Sequence, residues 1–151
     1  MTKRRTFAAL LFSSIAISFI APLAAAAEAP AARGTPAHKH RVIFQVSDND
    51  PAKWNLALNN VRNVQQDLGA ANVEIEVVAY GPGLAMLRMD STVGNRVGEA
   101  IAAGVKVMAC ENTMTNQKLD RDDMLTRIGY VKAGVVELLV KQAEGWSYIR
   151  P

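Results

Sequence analysis

The chain of 151 residues has a single cysteine, Cys110, and can therefore form no internal disulfide. It has only two histidines, His38 and His40, and none follows Cys110, so a Cys–His nucleophile pair has no support. His38 and His40 lie in an Ala- and Pro-rich stretch with no Cys, Asp or Glu partner nearby. A metal site needs three or four convergent ligands, so this pair reads as solvated and no metal is expected. Met86, Met89, Met108 and Met114 are not clustered as a copper site would require and read as packing residues. There is no P-loop, and Gly81-Pro82-Gly83 is too short for a dinucleotide fingerprint, so no cofactor is expected.

Basic charge is also scarcer than the totals suggest. The 17 Lys and Arg outnumber the 14 Asp and Glu, but Lys3, Arg4 and Arg5 are the only charged residues before Glu28. They open an apolar run over 7–20 that ends in the small-residue stretch from Ala21 to Ala27, the layout of a secretory signal peptide. That run is short for a bilayer span, which needs roughly 20 apolar residues. Cleavage after Ala25, Ala26 or Ala27 leaves a formally neutral chain with no Lys/Arg cluster. Neither nucleic-acid binding nor membrane binding is then expected. The expected organisation is a signal peptide over 1–27, a flexible lead-in over 28–40 and one α/β domain over 41–151, located in the periplasm.

Within 41–151 strands and helices alternate. A strand over 41–47 precedes Asp48-Asn49-Asp50-Pro51, where Asp50 can cap a helix and Pro51 suits its first turn. Trp54, Ala57, Leu58, Val61, Val64 and Leu68 make one helical stripe, stopped at Gly69. A second strand over 73–80 ends in the Gly81-Pro82-Gly83 turn. A helix capped by Ser91, with Val93, Val97 and Ile101 inward, closes at Gly104 and leads to a third strand over 105–109. Cys110 stands at its carboxyl end. Residues 111–119 read as a polar loop and Asp120 as the cap of a short helix. A brief strand at Tyr130-Val131, an amphipathic helix over 133–144 with Val136, Leu139 and Val140 inward, and a last strand over 146–150 follow.

Such a β-α-β-α-β order with short connections implies a parallel sheet with helices on both faces. Ligands of such sheets bind beyond the carboxyl ends of the strands, which here are Asp48-Asn49, Gly81-Pro82-Gly83 and Cys110. For Cys110 two readings stand. As a thiolate it would attack a sulfur donor and pass the sulfur on, aided by backbone N–H groups of residues 111–114 and by Asn112 or Thr113. As a small hydrophobe it would simply end the strand. The carboxylate of Glu111 disfavours a thiolate unless it points away.

The stretches DNDPAKWNLALNNVRNVQQDL from Asp48 to Leu68, VVAYGPGL from Val77 to Leu84 and CENTM from Cys110 to Met114 resemble the DsrE/DsrF-like family. So do Ala133-Gly134-Val135 and the ending from Gln142 to Pro151. The likeness spans nearly all of 41–151 and is strongest to the exported single-domain branch. It implies a three-layer α/β/α sandwich with a mostly parallel five-stranded sheet, assembled as a homo- or hetero-oligomer. It also implies a persulfide relay on Cys110, with a sulfur donor or acceptor protein as partner. Asp48, Asn49, Tyr80, Gly81, Pro82, Gly83, Asn112 and Thr113 would line its pocket; several relatives have His where Tyr80 stands. The alternative is a non-enzymatic binding or assembly module in which Cys110 is structural. The short last strand, with Trp146 and Tyr148, would need covering, which favours self-association.

Overall fold

The structure, a computed structural model, describes residues 39–151; the expected signal peptide and most of the lead-in lie outside the described residues. Strand β1 runs His40–Val46 and is followed by helix α1, Pro51–Leu68. Asp50 caps α1 by accepting from the Ala52 N–H at 2.9 Å, and Pro51 occupies the first helical position, where its missing N–H costs nothing. The Trp54 indole N–H donates to the Asp48 carbonyl at 2.7 Å, which ties the helix start to the end of β1. Trp54, Ala57, Leu58 and Val61 are buried, and Val64 packs against the same core. Leu68, expected on that stripe, is exposed: it stands in the last turn, where it lines a groove at the amino ends of the strands with Val64, Val73 and Ile149.

Strand β2, Val73–Ala79, pairs in parallel with the whole of β1, from His40 opposite Val73 to Val46 opposite Ala79. A 3-10 stretch over Gly81–Leu87 then turns the chain back under the end of β1. Gly83 makes this possible, because a Cβ there would lie 2.4 Å from the Val46 carbonyl oxygen and 2.8 Å from the Ser47 Cα. Helix α2, Gly94–Ala102, begins two residues later than expected. Ser91 caps the preceding turn instead, its carbonyl accepting from the Gly94 N–H. Val93 and Val97 are buried as expected, and Ile101 packs on the core. Strand β3, Lys106–Cys110, takes in the cysteine itself.

The stretch expected as a polar loop is helix α3, Glu111–Gln117. Polar side chains obscure it in the sequence, because only Thr113 and Met114 face inward. It ends at Lys118, which adopts a left-handed backbone with φ 56°. Asp120 caps a 3-10 turn over Arg121–Asp123 by accepting from the Asp122 N–H, while the Asp123 carboxylate accepts from the Asp120 N–H. Strand β4, Gly129–Val131, helix α4, Gly134–Ala143, and strand β5, Ser147–Ile149, complete the chain.

The sheet order is β4-β3-β2-β1-β5 and every pairing is parallel, so the expected five-stranded sheet is parallel throughout. Strands β1 to β4 step in one direction; β5 returns to the far side of β1. Right-handed crossovers place helices for opposite steps on opposite faces. One face carries α1 and α2 over Val42, Phe44, Ile75, Val77 and Val107. The other carries α4, whose Leu138 packs with Ile43, Val78 and Trp146.

Helix α4 sits on its face with its polarity reversed. Gly134 and Leu138 are buried, and Glu137 and Lys141 are half-buried against the sheet. Val136, Leu139 and Val140, expected inward, point out together with Val135; Leu139 is 67% exposed. The phase is set by the fit of Gly134 against Tyr80, where a Cβ would lie 2.9 Å from the Tyr80 Cβ. Leu138 follows one turn later on the same side.

The close approach at Gly83 makes a direct test of the rim. Replacing Gly83 with Ala is expected to destabilise the fold by about 2 kcal/mol, an overpacking cost with backbone rather than a flexible side chain in the way. Urea unfolding with an unchanged midpoint would show that β1 and the Gly81–Leu87 stretch separate freely.

Candidate functional site

The site begins with the way the chain leaves two neighbouring strands. From β3 it enters α3, whose Met114 joins the core beneath α1 and α2. From β4 it enters α4, on the opposite face. Adjacent strands whose continuations diverge leave a crevice at their carboxyl ends, the position where ligands bind in open α/β sheets. Cys110 is the last residue of β3 and the residue before α3, so its sulfur lies in that crevice.

Two sets of donors converge on the sulfur. The Gly134 N–H, the first of α4, donates to Cys110 Sγ at 3.2 Å. From the other side come the Thr113 hydroxyl and the Thr113 backbone N–H, near the start of α3. Thr113 is itself oriented, because its Oγ1 accepts from the Gly81 N–H at 2.9 Å and leaves the hydroxyl proton for the sulfur. Gly81 is held in turn by the Gln117 side chain, which donates to its carbonyl at 3.1 Å. The Asn112 N–H is directed at the Lys132 carbonyl at 3.1 Å and adds least to the sulfur.

These donors decide the ionisation of the thiol. Cys110 is 4% exposed, and burial pushes its pKa up. The hydrogen bonds from the Thr113 hydroxyl, the Gly134 N–H and the Thr113 N–H outweigh burial and hold the thiol below its ordinary value. Glu111 does not oppose this, since its carboxylate accepts from Arg121 at 3.3 Å.

The expected pocket residues divide. Tyr80, Gly81 and Thr113 gather around Cys110, and Gly83 supports them from below. Tyr80 packs its ring on Gly134 and lies within electrostatic reach of Cys110, Tyr148, Asp48 and Arg150. Burial first, then Tyr148, Asp48 and Cys110, raise its pKa against the pull of Arg150, so the phenol stays protonated. Asp48 stands apart, on the β5 side, with its carboxylate held by Lys53 at 3.2 Å and Arg150 at 3.3 Å. The hydrogen bond from Lys53 leads the causes that lower its pKa, against desolvation. A carboxylate so engaged is a poor general base. Asn49, Pro82 and the side chain of Asn112 are exposed, and among the described residues none has a hydrogen bond to the sulfur.

Gly134 is the functional position that the residue pattern did not disclose. It stands about two dozen positions beyond Cys110 in sequence, and only the placement of β4 beside β3 brings it back. Its signals were a glycine opening a helix just after a short strand and its place in the Ala133-Gly134-Val135 stretch. Among the described residues no group of three or more His, Cys, Asp or Glu could hold a metal ion. Grooves of about 200 Å³ between α1 and α2 and about 500 Å³ at the amino ends of the strands lie away from Cys110. Cys110 is buried beside the Gly134 N–H at the start of α4, and the Tyr80 ring packs on Gly134.

The family model for the DsrE/DsrF-like family matches residues 40–151. The chain is similar to a structurally solved protein of unknown function from Methanobacterium thermoautotrophicum, with 41% identity and a TM-score of 0.72 over 75% of this chain and 100% of that one. A conserved protein of unknown function from Bacteroides thetaiotaomicron shares the fold at 12% identity, with a TM-score of 0.64 over 78% of this chain and 99% of that one. The ychN protein from E. coli does so at 12% identity, with a TM-score of 0.61 over 75% and 99%. No curated protein matches the chain.

Removing the Thr113 hydroxyl while keeping its shape separates hydrogen bonding from burial. Thr113→Val is expected to shift the pH profile of Cys110 alkylation upward. Gly134→Ala, which forces Tyr80 and the α4 start apart, is expected to shift it the same way. Profiles that coincide with the unaltered protein would mean that these donors do not govern the thiol.

Proposed function

We propose, from the premise that the chain belongs to the DsrE/DsrF-like family, that it handles sulfur through Cys110 as a persulfide carrier. The observation that carries this reading is the convergence of the Thr113 donors and the Gly134 N–H on one sulfur. A cysteine that merely ends a strand needs no such set. The thiolate attacks the sulfane sulfur of a donor such as thiosulfate or a polysulfide. A Cys110 S–S bond forms as the donor's S–S bond breaks, and the leaving sulfite or shortened polysulfide takes the bonding electron pair. An acceptor thiolate then attacks the outer sulfur, and the Cys110 thiolate leaves with the electron pair of the broken bond. The cycle is redox-neutral and requires no bound cofactor. The hydrogen bonds that hold the thiolate also favour its departure, because a thiol of lower pKa is the better leaving group.

The proposed setting is the periplasm, after removal of residues 1–27. There a lone cysteine has no internal disulfide partner and remains available as a thiol. The donor or acceptor is proposed to be another protein. Self-association is proposed through α4, because Val135, Val136, Leu139 and Val140 form an outward apolar strip beside the site. A second reading, an assembly module with a structural cysteine, draws on the same strip and on the burial of Cys110.

Intact-mass measurement of the mature protein, before and after incubation with thiosulfate or polysulfide, tests the proposal. The expected outcome is a gain of one or more sulfur atoms that is absent in Cys110→Ala. No gain, with a thiol that labels only after unfolding, would leave the assembly module as the better account.

A further inference from the structure

Glu76 lies in the middle of β2, on the face that α4 covers, and is 3% exposed. A carboxyl group buried this deeply needs a cation or a full set of hydrogen bonds to remain charged. Its Oε1 has no hydrogen-bond partner. The neighbouring cations are committed to other groups. Lys106, beside Glu76 on β3, donates to Glu74 at 2.6 Å. Lys141 on α4 lies 3.6 Å from both Glu137 and Glu144. Arg41 on β1 donates to the Glu144 carbonyl at 2.7 Å and faces the Trp146 ring. The group that faces Glu76 from α4 is a second carboxyl, Glu137, within hydrogen-bonding reach. Two carboxyls in such a site share a proton or repel.

Helix α4 carries Glu137 one turn after Gly134, whose N–H holds the Cys110 sulfur. We propose that Glu76 is a proton-operated latch that fastens α4 over Cys110 while its buried carboxyl is neutral and releases the helix when that carboxyl is ionised beside Glu137. This regulation rests on the reading of Cys110 as a reactive thiol. Burial, and then the Glu137 charge, push the Glu76 pKa up to about 7, against Lys141 and Lys106. The folded chain thus binds this proton more tightly than the unfolded chain, in which the group titrates near 4.5. The stabilisation is complete below that value and is lost as pH rises through about 7. The latch therefore opens toward alkaline pH, the direction that also favours the thiolate.

Two measurements on the same protein test this. One is hydrogen exchange of the α4 amides, corrected for intrinsic chemistry. The other is Cys110 alkylation by a neutral reagent, normalised to the thiolate fraction. From one pH unit below to one above the Glu76 midpoint its ionised fraction grows about tenfold, and both rates are expected to rise by about that factor. Glu76→Gln, which keeps the shape and donates a hydrogen bond to Glu137, is expected to hold both rates low and flat; Glu137→Gln is expected to flatten them as well. A flat profile in the unaltered protein, or an undiminished rise in Glu76→Gln, would overturn the latch. Sulfur loading that persists with a flat α4 profile would refute the latch and leave the carrier standing. An α4 profile that follows Glu76 without any sulfur loading would refute the carrier and leave the latch standing.

Discussion

The hydrogen bond from the Gly134 N–H to Cys110 Sγ exists because β3 and β4 lie side by side and send their chains to opposite faces of one sheet. Strand β3 continues into α3 and β4 into α4, so two helices begin at the same place on different sides of the crevice. The first N–H groups of a helix have no partner within it. Here amides of two helices point at a single sulfur, and the Thr113 hydroxyl joins them from the α3 side. The site is thus a product of topology as much as of residue type. The groups that lower the thiol's pKa are backbone N–H groups and one hydroxyl.

The two faces of the sheet are unequal, and the site lies on the weaker one. Beneath α1 and α2 the core is deep, with Phe44, Val61, Ile75, Val77, Leu84 and Val97 buried completely or nearly so. Beneath α4 the buried apolar cluster is Ile43, Val78, Leu138 and Trp146, and the rest of the contact includes Glu76, Glu137 and Lys141. A helix docked by few apolar contacts and a carboxyl pair separates at lower cost than one docked by a full core. This matters for a buried thiol, which must be reached if it is to react. The deep face carries most of the buried apolar core, and the latch proposed for Glu76 acts on the shallow one.

Most of the architecture was legible in the sequence, because β1, β2 and β3 are apolar runs with sharp ends and α1 has a cap, a proline and a clear stripe. Family membership was also legible, through the ordered set of segments around Cys110. The misjudged elements share a cause. Helix α3 was hidden because its side chains are polar and its burial rests on Thr113 and Met114 alone. Helix α4 was read inside out because apolar residues were assigned to the core, whereas Gly134, Glu137, Leu138 and Lys141 meet the sheet. For the pocket, proximity in sequence misled: Asn49, Asn112 and Pro82 border the right loops but face solvent, while Gly134 arrives from a distant segment. No local pattern announces a donor supplied by strand order.

The central claim is that the donors at the ends of α3 and α4 hold the Cys110 thiol below its ordinary pKa in spite of its burial. A pH titration of the thiolate ultraviolet absorbance, taken as the difference between the folded protein and Cys110→Ala, measures this without any sulfur donor or partner. The account predicts a midpoint below that of free cysteine. A midpoint at or above free cysteine would mean that burial prevails over the converging donors, and Cys110 would then be a packing residue.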